Sequence, residues 1–276
     1  MIKWIIEDFS EENGWGKLAE QAKLKGIDCY VVDGTTEETN RLISKININP
    51  FVDKVLIQSS FQFVNDITSK LPCYPYNILF TPKNYECLNY YKFLGEYLLN
   101  DDYIYLPAYE VPKSMDFLDK VLGLSEKETG RIFIRPNSGL KPVSGMIYIN
   151  RYPYFEQDWN FVKREVDENE LMIISTPKQI EKEYRLVIIN RKVITGSLYR
   201  ENGFIKYKQI NIKEHKEIFD YAQEIADIYS PDLAYTIDIA ELDNKLKLLE
   251  INSFCHAGLY DCDYEKIVDV LIDNLK

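Results

Sequence analysis

The feature that most limits the architecture is a change of texture along the chain. Up to about residue 75, strand-like and helix-like runs alternate; from Arg131 onward, short β-type runs follow one another closely. Ile2 to Glu7, Ile27 to Asp33 and Lys54 to Gln58 are apolar and rich in β-branched residues. Between them lie helical stretches from Gly16 to Lys25 and from Thr35 to Lys45, the second opened by a capping box of Thr35 and Glu38. Such alternation predicts a parallel sheet covered by helices. The β-type runs of the second half are Arg131 to Arg135, Met146 to Ile149, Leu171 to Ile174, Tyr184 to Ile189, Val193 to Tyr199 and Phe204 to Gln209. Ile218, Ala222, Ile225 and Tyr229 then recur at helical spacing, Tyr235 to Leu242 and Leu246 to Asn252 supply two more strands, and a helix from Tyr264 to Leu275 ends the pattern.

The fold class expected is therefore α+β, with antiparallel strands dominating the second half. Residues 1–75 form a small α/β domain, and residues 131–276 form the strand-rich domain. Residues 76–130 read as a connecting subdomain: a strand at Asn77 to Phe80, a helix over Tyr85 to Leu99, a strand at Tyr103 to Leu106 and a short helix at Asp116 to Leu122.

A chain of 276 residues with 46% hydrophobic and 28% charged side chains can bury a core without staples. The opening Met1-Ile-Lys-Trp-Ile-Ile is interrupted by Glu7-Asp8, and no apolar run reaches the ~18 residues of a membrane span. A cytoplasmic protein is the expectation. The five cysteines, Cys29, Cys73, Cys87, Cys255 and Cys262, lack C-x-x-C spacing, and only His215 and His256 could join them, so neither a disulfide framework nor a structural zinc site is expected. Cys255 and His256 are adjacent, and on an extended chain they point to opposite faces, which does not suit a nucleophile and its base. A net charge of -11 disfavours nucleic acid. Residues 178–216 nevertheless carry ten Lys/Arg against four Glu, a balance of +6 that leaves -17 elsewhere. That segment is either a docking place for an anion or a hairpin with basic solvent faces.

Three places could carry chemistry. Gly14-Trp-Gly-Lys-Leu-Ala19 fits a dinucleotide fingerprint, with Asp33 ending the next strand, but Asp8 to Asn13 separates it from the preceding strand and puts acids where a pyrophosphate would sit. In Tyr235 to Leu242, alternation places Thr236, Asp238 and Ala240 on one face; in Leu246 to Asn252 it places Leu246, Leu248, Glu250 and Asn252 together. A three-residue loop, Asp243-Asn244-Lys245, would set Asp238 directly opposite Glu250, whereas a two-residue loop would separate them. Opposed carboxylates inside apolar runs call for a partner, and with Asn252 they make an all-oxygen set suited to Mg²⁺; the alternative is a solvent-facing hairpin. The third place is Arg131-Ile-Phe-Ile-Arg-Pro-Asn-Ser-Gly-Leu-Lys-Pro-Val-Ser-Gly145, a strand ending in Arg135 and running into a small-residue loop with Lys141. It could cradle phosphate, although it is not a Walker A loop.

The order of these parts resembles the ATP-grasp superfamily: an arginine-ended strand and small-residue loop, then Ile173-Ile174-Ser175-Thr176-Pro177, then Glu183-Tyr184-Arg185, then a helix, then Asp238 and Glu250-Ile251-Asn252. With Arg135 where most members carry lysine, the chain is similar to the clade that uses arginine there. The likeness covers residues 131–276, so the expectation is an ATP-grasp fold preceded by a small α/β domain. The resemblance implies that Arg135 and Lys141 contact ATP phosphates under the loop from Asn137 to Gly145, with Ser175 and Thr176 on the adenine-facing connector and Glu183 near the ribose. Arg185 would meet the γ-phosphate, with Arg200 on a neighbouring strand, and Asp238, Glu250 and Asn252 would hold Mg²⁺. Leu171 to Ile174 lacks the second nucleotide-binding lysine that many members carry. The implied activity is an ADP-forming, Mg²⁺-dependent carboxylate-amine ligase working through an acyl phosphate, with a small-molecule or peptide carboxylate and an amine acceptor as partners. A non-catalytic nucleotide-binding module, a phosphotransferase and a dinucleotide-dependent oxidoreductase are the alternatives.

Overall fold

The computed structural model describes the chain except residues 8–13, 50–51, 71–78, 125–129, 152 and 276, and gives residues 65, 66, 68 and 69 by backbone alone. The chain divides into two compact units, Met1–Thr81 with Ile180–Lys276, and Pro82–Gln179.

The first unit opens with β1 (Ile2–Glu7), α1 (Trp15–Leu24), β2 (Asp28–Val32), α2 (Thr36–Lys45), β3 (Lys54–Gln58) and α3 (Phe61–Lys70). Its three strands pair in parallel in the order β2-β1-β3. β1 is buried on both faces, which is why it reads as a continuous apolar run. Ile5 joins a core with Leu42, Ile57, Phe63 and Ile67, while Trp4 and Ile6 join another with Trp15, Leu18 and residues near the C-terminus. The capping box is half realised: the Thr35 hydroxyl accepts from the Glu38 amide at 3.3 Å, but the Glu38 carboxylate accepts from the Asp33 amide instead of closing back on Thr35.

The second unit contains α4 (Cys87–Leu94), β4 (Ile104–Pro107), α5 (Met115–Val121), β5 (Arg131–Pro136), β6 (Met146–Ile149), α6 (Tyr154–Glu165) and β7 (Leu171–Ser175). Its antiparallel sheet has the order β4-β7-β5-β6. Ile132, Ile134, Met172 and Ile174 form one face and share a core with Leu118, Phe155, Trp159 and Val162 of α5 and α6. Phe133, Arg135, Ile173 and Ser175 occupy the opposite face by alternation.

The chain then returns to the first unit with β8 (Lys182–Ile189), β9 (Lys192–Glu201), β10 (Phe204–Ile210), α7 (Lys216–Ile228), β11 (Ala234–Leu242), β12 (Lys245–Ser253) and α8 (Tyr264–Leu275). These strands form an antiparallel sheet in the order β10-β9-β8-β11-β12. Its Val187, Ile189, Ile194 and Ala234 share the core of Trp4, α1 and α8. Among the described residues, no helix is long and apolar enough to cross a membrane.

Several local expectations change. α3 and α6 were not singled out in the sequence. The helix expected over Tyr85 to Leu99 holds only for α4, followed by a 3-10 turn at Gly95–Tyr97. The strand expected at Asn77 to Phe80 lies partly outside the described residues, and Leu79 and Phe80 are not in a strand. The loop from Asp8 to Asn13 and Cys73 are likewise outside them; Cys29, Cys87, Cys255 and Cys262 are free thiols. Gly14, the first glycine of the dinucleotide-like motif, has φ 77, and a Cβ there would collide with the Tyr264 hydroxyl. Packing of α1 against α8 thus accounts for the glycine without a nucleotide.

Candidate active site

The acids picked out in the sequence meet on β11 and β12. These strands are joined by Asp243 and Asn244, both in the left-handed region (φ 48 and 57), with Leu242 facing Lys245. The connection is therefore two residues and not three, and continued unaltered it would set Asp238 against Leu249. A β-bulge corrects the offset: Ile239 faces Leu248, but Asp238 faces Glu250, leaving Leu249 as the extra residue. The bulge also separates residues that strict alternation put on one face. Leu248 sits opposite Ile239 and is buried, whereas Glu250 and Asn252 share the face of Asp238 and Thr236.

Around Asp238 the polar groups interlock. The Asn252 side-chain N–H donates to Asp238 Oδ2 at 3.2 Å and to Glu250 Oε1 at 2.9 Å, placing a donor between two carboxylates that would otherwise repel. β8 brings Arg185 opposite Asp238 on the other side. Its Nε and Nη2 donate to Asp238 Oδ1 and Oδ2 at 2.8 and 2.6 Å, and Nη1 donates to the Gly258 carbonyl at 2.7 Å. Both side chains of this pair are buried. Burial alone would pull Arg185 down, but Asp238 outweighs it and holds the guanidinium well above its ordinary range. The guanidinium carbon lies 4.8 Å from the Tyr260 ring centroid and 5.5 Å from that of Tyr199.

Glu183, expected near a ribose, lies on the same strand as Arg185. Its carboxylate accepts from the Tyr199 hydroxyl at 2.7 Å and from Arg200 Nη1 at 3.4 Å. Thus Arg185, Asp238, Glu250 and Asn252 form one cluster, and Glu183 with Arg200 form an ion pair bridged to it by Tyr199. The basic segment is largely committed to ion pairs: Lys182 to Glu241, Lys206 to Glu201 and Lys216 to Asp220, besides Arg185 and Arg200.

In the second unit, Arg135 is the penultimate residue of β5 and is buried beside Tyr90. The loop that follows is anchored at its base. Asn137 accepts from the Cys87 amide at 2.9 Å through its backbone carbonyl and from the Leu88 amide at 2.9 Å through its side chain, which caps α4 from across the chain. The Ser138 amide donates to Glu170 at 2.8 Å. A Cβ on Gly139 would run into the Pro82 backbone carbonyl, so this glycine serves a close approach of protein backbone. Lys141 is half-buried and left-handed, with φ 46. Among the described residues, the buried Ser175 hydroxyl has no hydrogen-bond partner. Thr176 donates its hydroxyl to Asp102, whose carboxylate also accepts from the Thr176 amide at 3.2 Å and pairs with Lys178 at 2.9 Å.

A family model for an ATP-grasp domain, family 2 of the R-2-K clade, matches residues 115–270, more than half of the chain. The chain belongs to that family. No curated protein matches the ATP-grasp chain by sequence. Among solved structures it is similar in fold to the D-cycloserine synthetase DcsG (13% identity, TM-score 0.64, all of both chains covered). It is also similar to a D-alanine–D-alanine ligase from Bacillus anthracis (17%, TM-score 0.57, covering 99% of this chain and 96% of that one). A third relative in fold is the ATP-grasp ligase PsnB with a minimal precursor (13%, TM-score 0.56, covering 99% and 98%). The fold is thus ATP-grasp with a small parallel three-stranded sheet ahead of the antiparallel ones.

The ATP-grasp chain also uses residues that no motif marked. Asp102 and Lys178 fix the connector after β7, and Tyr199 and Tyr260 pack on Arg185; Lys178 stands two residues beyond Thr176, but Asp102 lies 74 positions from it in sequence. Among the described residues no group of three or more His, Cys, Asp or Glu side chains gathers as a metal cluster. A cation here would rest on the two carboxylates and, with the Asn252 side chain turned so that its oxygen replaces the N–H now between them, on Asn252 Oδ1, leaving other positions to phosphate and water, a pattern Mg²⁺ accepts. A carboxylate offers about four acceptor positions, so the Arg185 pair leaves Asp238 compatible with that role.

Proposed function

We propose that the chain is an ATP-dependent, ADP-forming carboxylate-amine ligase that activates its carboxylate substrate as an acyl phosphate. The observation that carries this reading is the pairing of Asp238 with Glu250 across a bulged hairpin, bridged by Asn252 and flanked by the buried Arg185. A substrate carboxylate oxygen attacks the γ-phosphorus, and the bond to the β-phosphate oxygen breaks, releasing ADP. The amine then attacks the acyl carbon, inorganic phosphate leaves, and the nitrogen gives up a proton to form the amide. No side-chain nucleophile is needed. Arg135 and Lys141 hold the nucleotide phosphates, Ser175 and Thr176 face the adenine, Glu183 the ribose, and Arg185 with Arg200 neutralises charge on the transferring group. Mg²⁺ held by Asp238, Glu250 and Asn252 would offset negative charge on the terminal phosphates. Residues 1–75 select the substrate, which is a small molecule or peptide carboxylate, and residues 76–130 join them to the nucleotide-binding part.

The test supplies ATP and Mg²⁺ with a panel of amino acids and small carboxylates and resolves the nucleotide products by chromatography. ADP and phosphate in step with amide formation are expected. AMP and pyrophosphate as stoichiometric products would overturn the mechanism even though the family assignment stands.

A further inference from the structure

Tyr260 has a conformation that its own sequence neighbourhood does not ask for. Its φ is 51, a region that a bulky side chain seldom occupies unless its surroundings hold it there. The surroundings are specific: Asp261 accepts from the Gln209 amide at 3.1 Å, and the Asp263 amide donates to the Thr195 hydroxyl at 3.1 Å, pinning the segment onto β9 and β10. The Tyr260 carbonyl accepts from the Tyr264 hydroxyl. Held in this way, the ring stacks with Tyr199 and with Tyr207, with centroids at 4.8 and 5.1 Å and planes inclined by 19° to each. It also lies 4.8 Å from the guanidinium carbon of Arg185.

Arg185 has five N–H groups, and Asp238 and the Gly258 carbonyl take three of them. A planar guanidinium bonded along one edge can still rock about that edge. A ring packed on it, itself stacked with two others, resists the rocking and fixes where the two remaining N–H groups point. We propose that Tyr260 is a positioning residue that holds the Arg185 guanidinium in the orientation required by the phosphoryl group in transfer. The identity of that group rests on the ligase reading above; the effect of Tyr260 on Arg185 does not. The aromatic ring performs this task and the Tyr260 hydroxyl is not required.

The test compares wild type, Tyr260→Phe and Tyr260→Leu in two measurements. One is the affinity for ADP with Mg²⁺ against that for ADP with Mg²⁺ and aluminium fluoride, a mimic of the transferring group. Tyr260→Leu should weaken the fluoride complex at least tenfold while ADP stays within twofold, and Tyr260→Phe should change neither. Equal weakening of both ligands, no weakening, or a Phe variant as impaired as the Leu variant would overturn the proposal. The other is the Arg185 Nε–H resonance, which needs no ligand. Its bond to Asp238 should keep it slow to exchange in all three, and ring shielding should hold it at one position in wild type and Tyr260→Phe, from which it moves downfield in Tyr260→Leu. Should the Leu variant not fold, Tyr260→Phe decides: a resonance moved from its wild-type position, or a weakened fluoride complex, overturns the proposal. If wild type binds neither nucleotide complex, the ligase reading falls and the resonance alone decides the role of Tyr260.

Discussion

Asp238 and Glu250 face each other, yet neutralising them should have different consequences. Asp238→Asn removes the charge that Arg185 is buried against, and stranding one member of a buried pair costs about 3–5 kcal/mol. Glu250 is less buried, and its described bond is to an amide. Glu250→Gln should therefore abolish Mg²⁺-dependent ATP turnover with little change in melting temperature, while Asp238→Asn should lower both; a melting temperature unchanged in Asp238→Asn would remove the buried-pair argument. Asp102 gives a pH signature. Burial raises its carboxyl, but the Thr176 and Lys178 hydrogen bonds outweigh that and hold it below the ordinary value. A depressed folded pKa supplies stability above the ordinary carboxylate range that is lost as pH falls through the folded value. The melting-temperature advantage of wild type over Asp102→Asn should be level above about pH 4 and shrink below it. The same variant should weaken ATP binding by loosening the connector at Thr176, as titration calorimetry would read.

The β11–β12 hairpin tests how much of the bulge is register and how much is aim. Deleting Leu249 closes the bulge and leaves Glu250 opposite Asp238 and Leu248 opposite Ile239, because the two-residue turn already sets that offset. Deletion of Leu249 should therefore fold, whereas deletion of Lys247 should not, since it would drive a leucine onto the Asp238 face; circular dichroism melts distinguish them. This hairpin also shows where the sequence was legible. The apolar runs, the acids within them and their opposition could be read from alternation and spacing. The route could not: a turn of two residues and a compensating bulge give the same pairing as a turn of three, and alternation alone does not distinguish them. Asp102 was illegible for a different reason, because its role is set entirely by tertiary contact with Thr176 and Lys178. α6 is legible in the sequence, since Phe155, Trp159 and Val162 recur at helical spacing. The small residues of the Asn137 to Gly145 loop were legible as a loop, but the close approach of Gly139 to the Pro82 backbone was not.

At the scale of the whole chain, the second unit is one continuous stretch with its own core around Trp159, whereas the first is assembled from two stretches whose core residues interleave, Trp4 and Trp15 with Phe254, Ile267 and Leu271. A fragment of residues 82–179 should unfold cooperatively by Trp159 fluorescence, and a fragment of residues 1–81 should not, because Trp4 and Ile6 lose their partners on β8, β9 and α8. A gradual, non-cooperative transition in the 82–179 fragment would contradict the separate core. The interleaving has a consequence for synthesis. The ribosome delivers Trp4, Ile6 and Leu18 long before their partners on α8, so the early segment emerges with apolar surface that it cannot yet cover. The middle stretch can close around itself as soon as it clears the exit tunnel. Nascent chains of this protein should thus engage a chaperone early and be released late, at a point fixed by the arrival of Ile267 and Leu271.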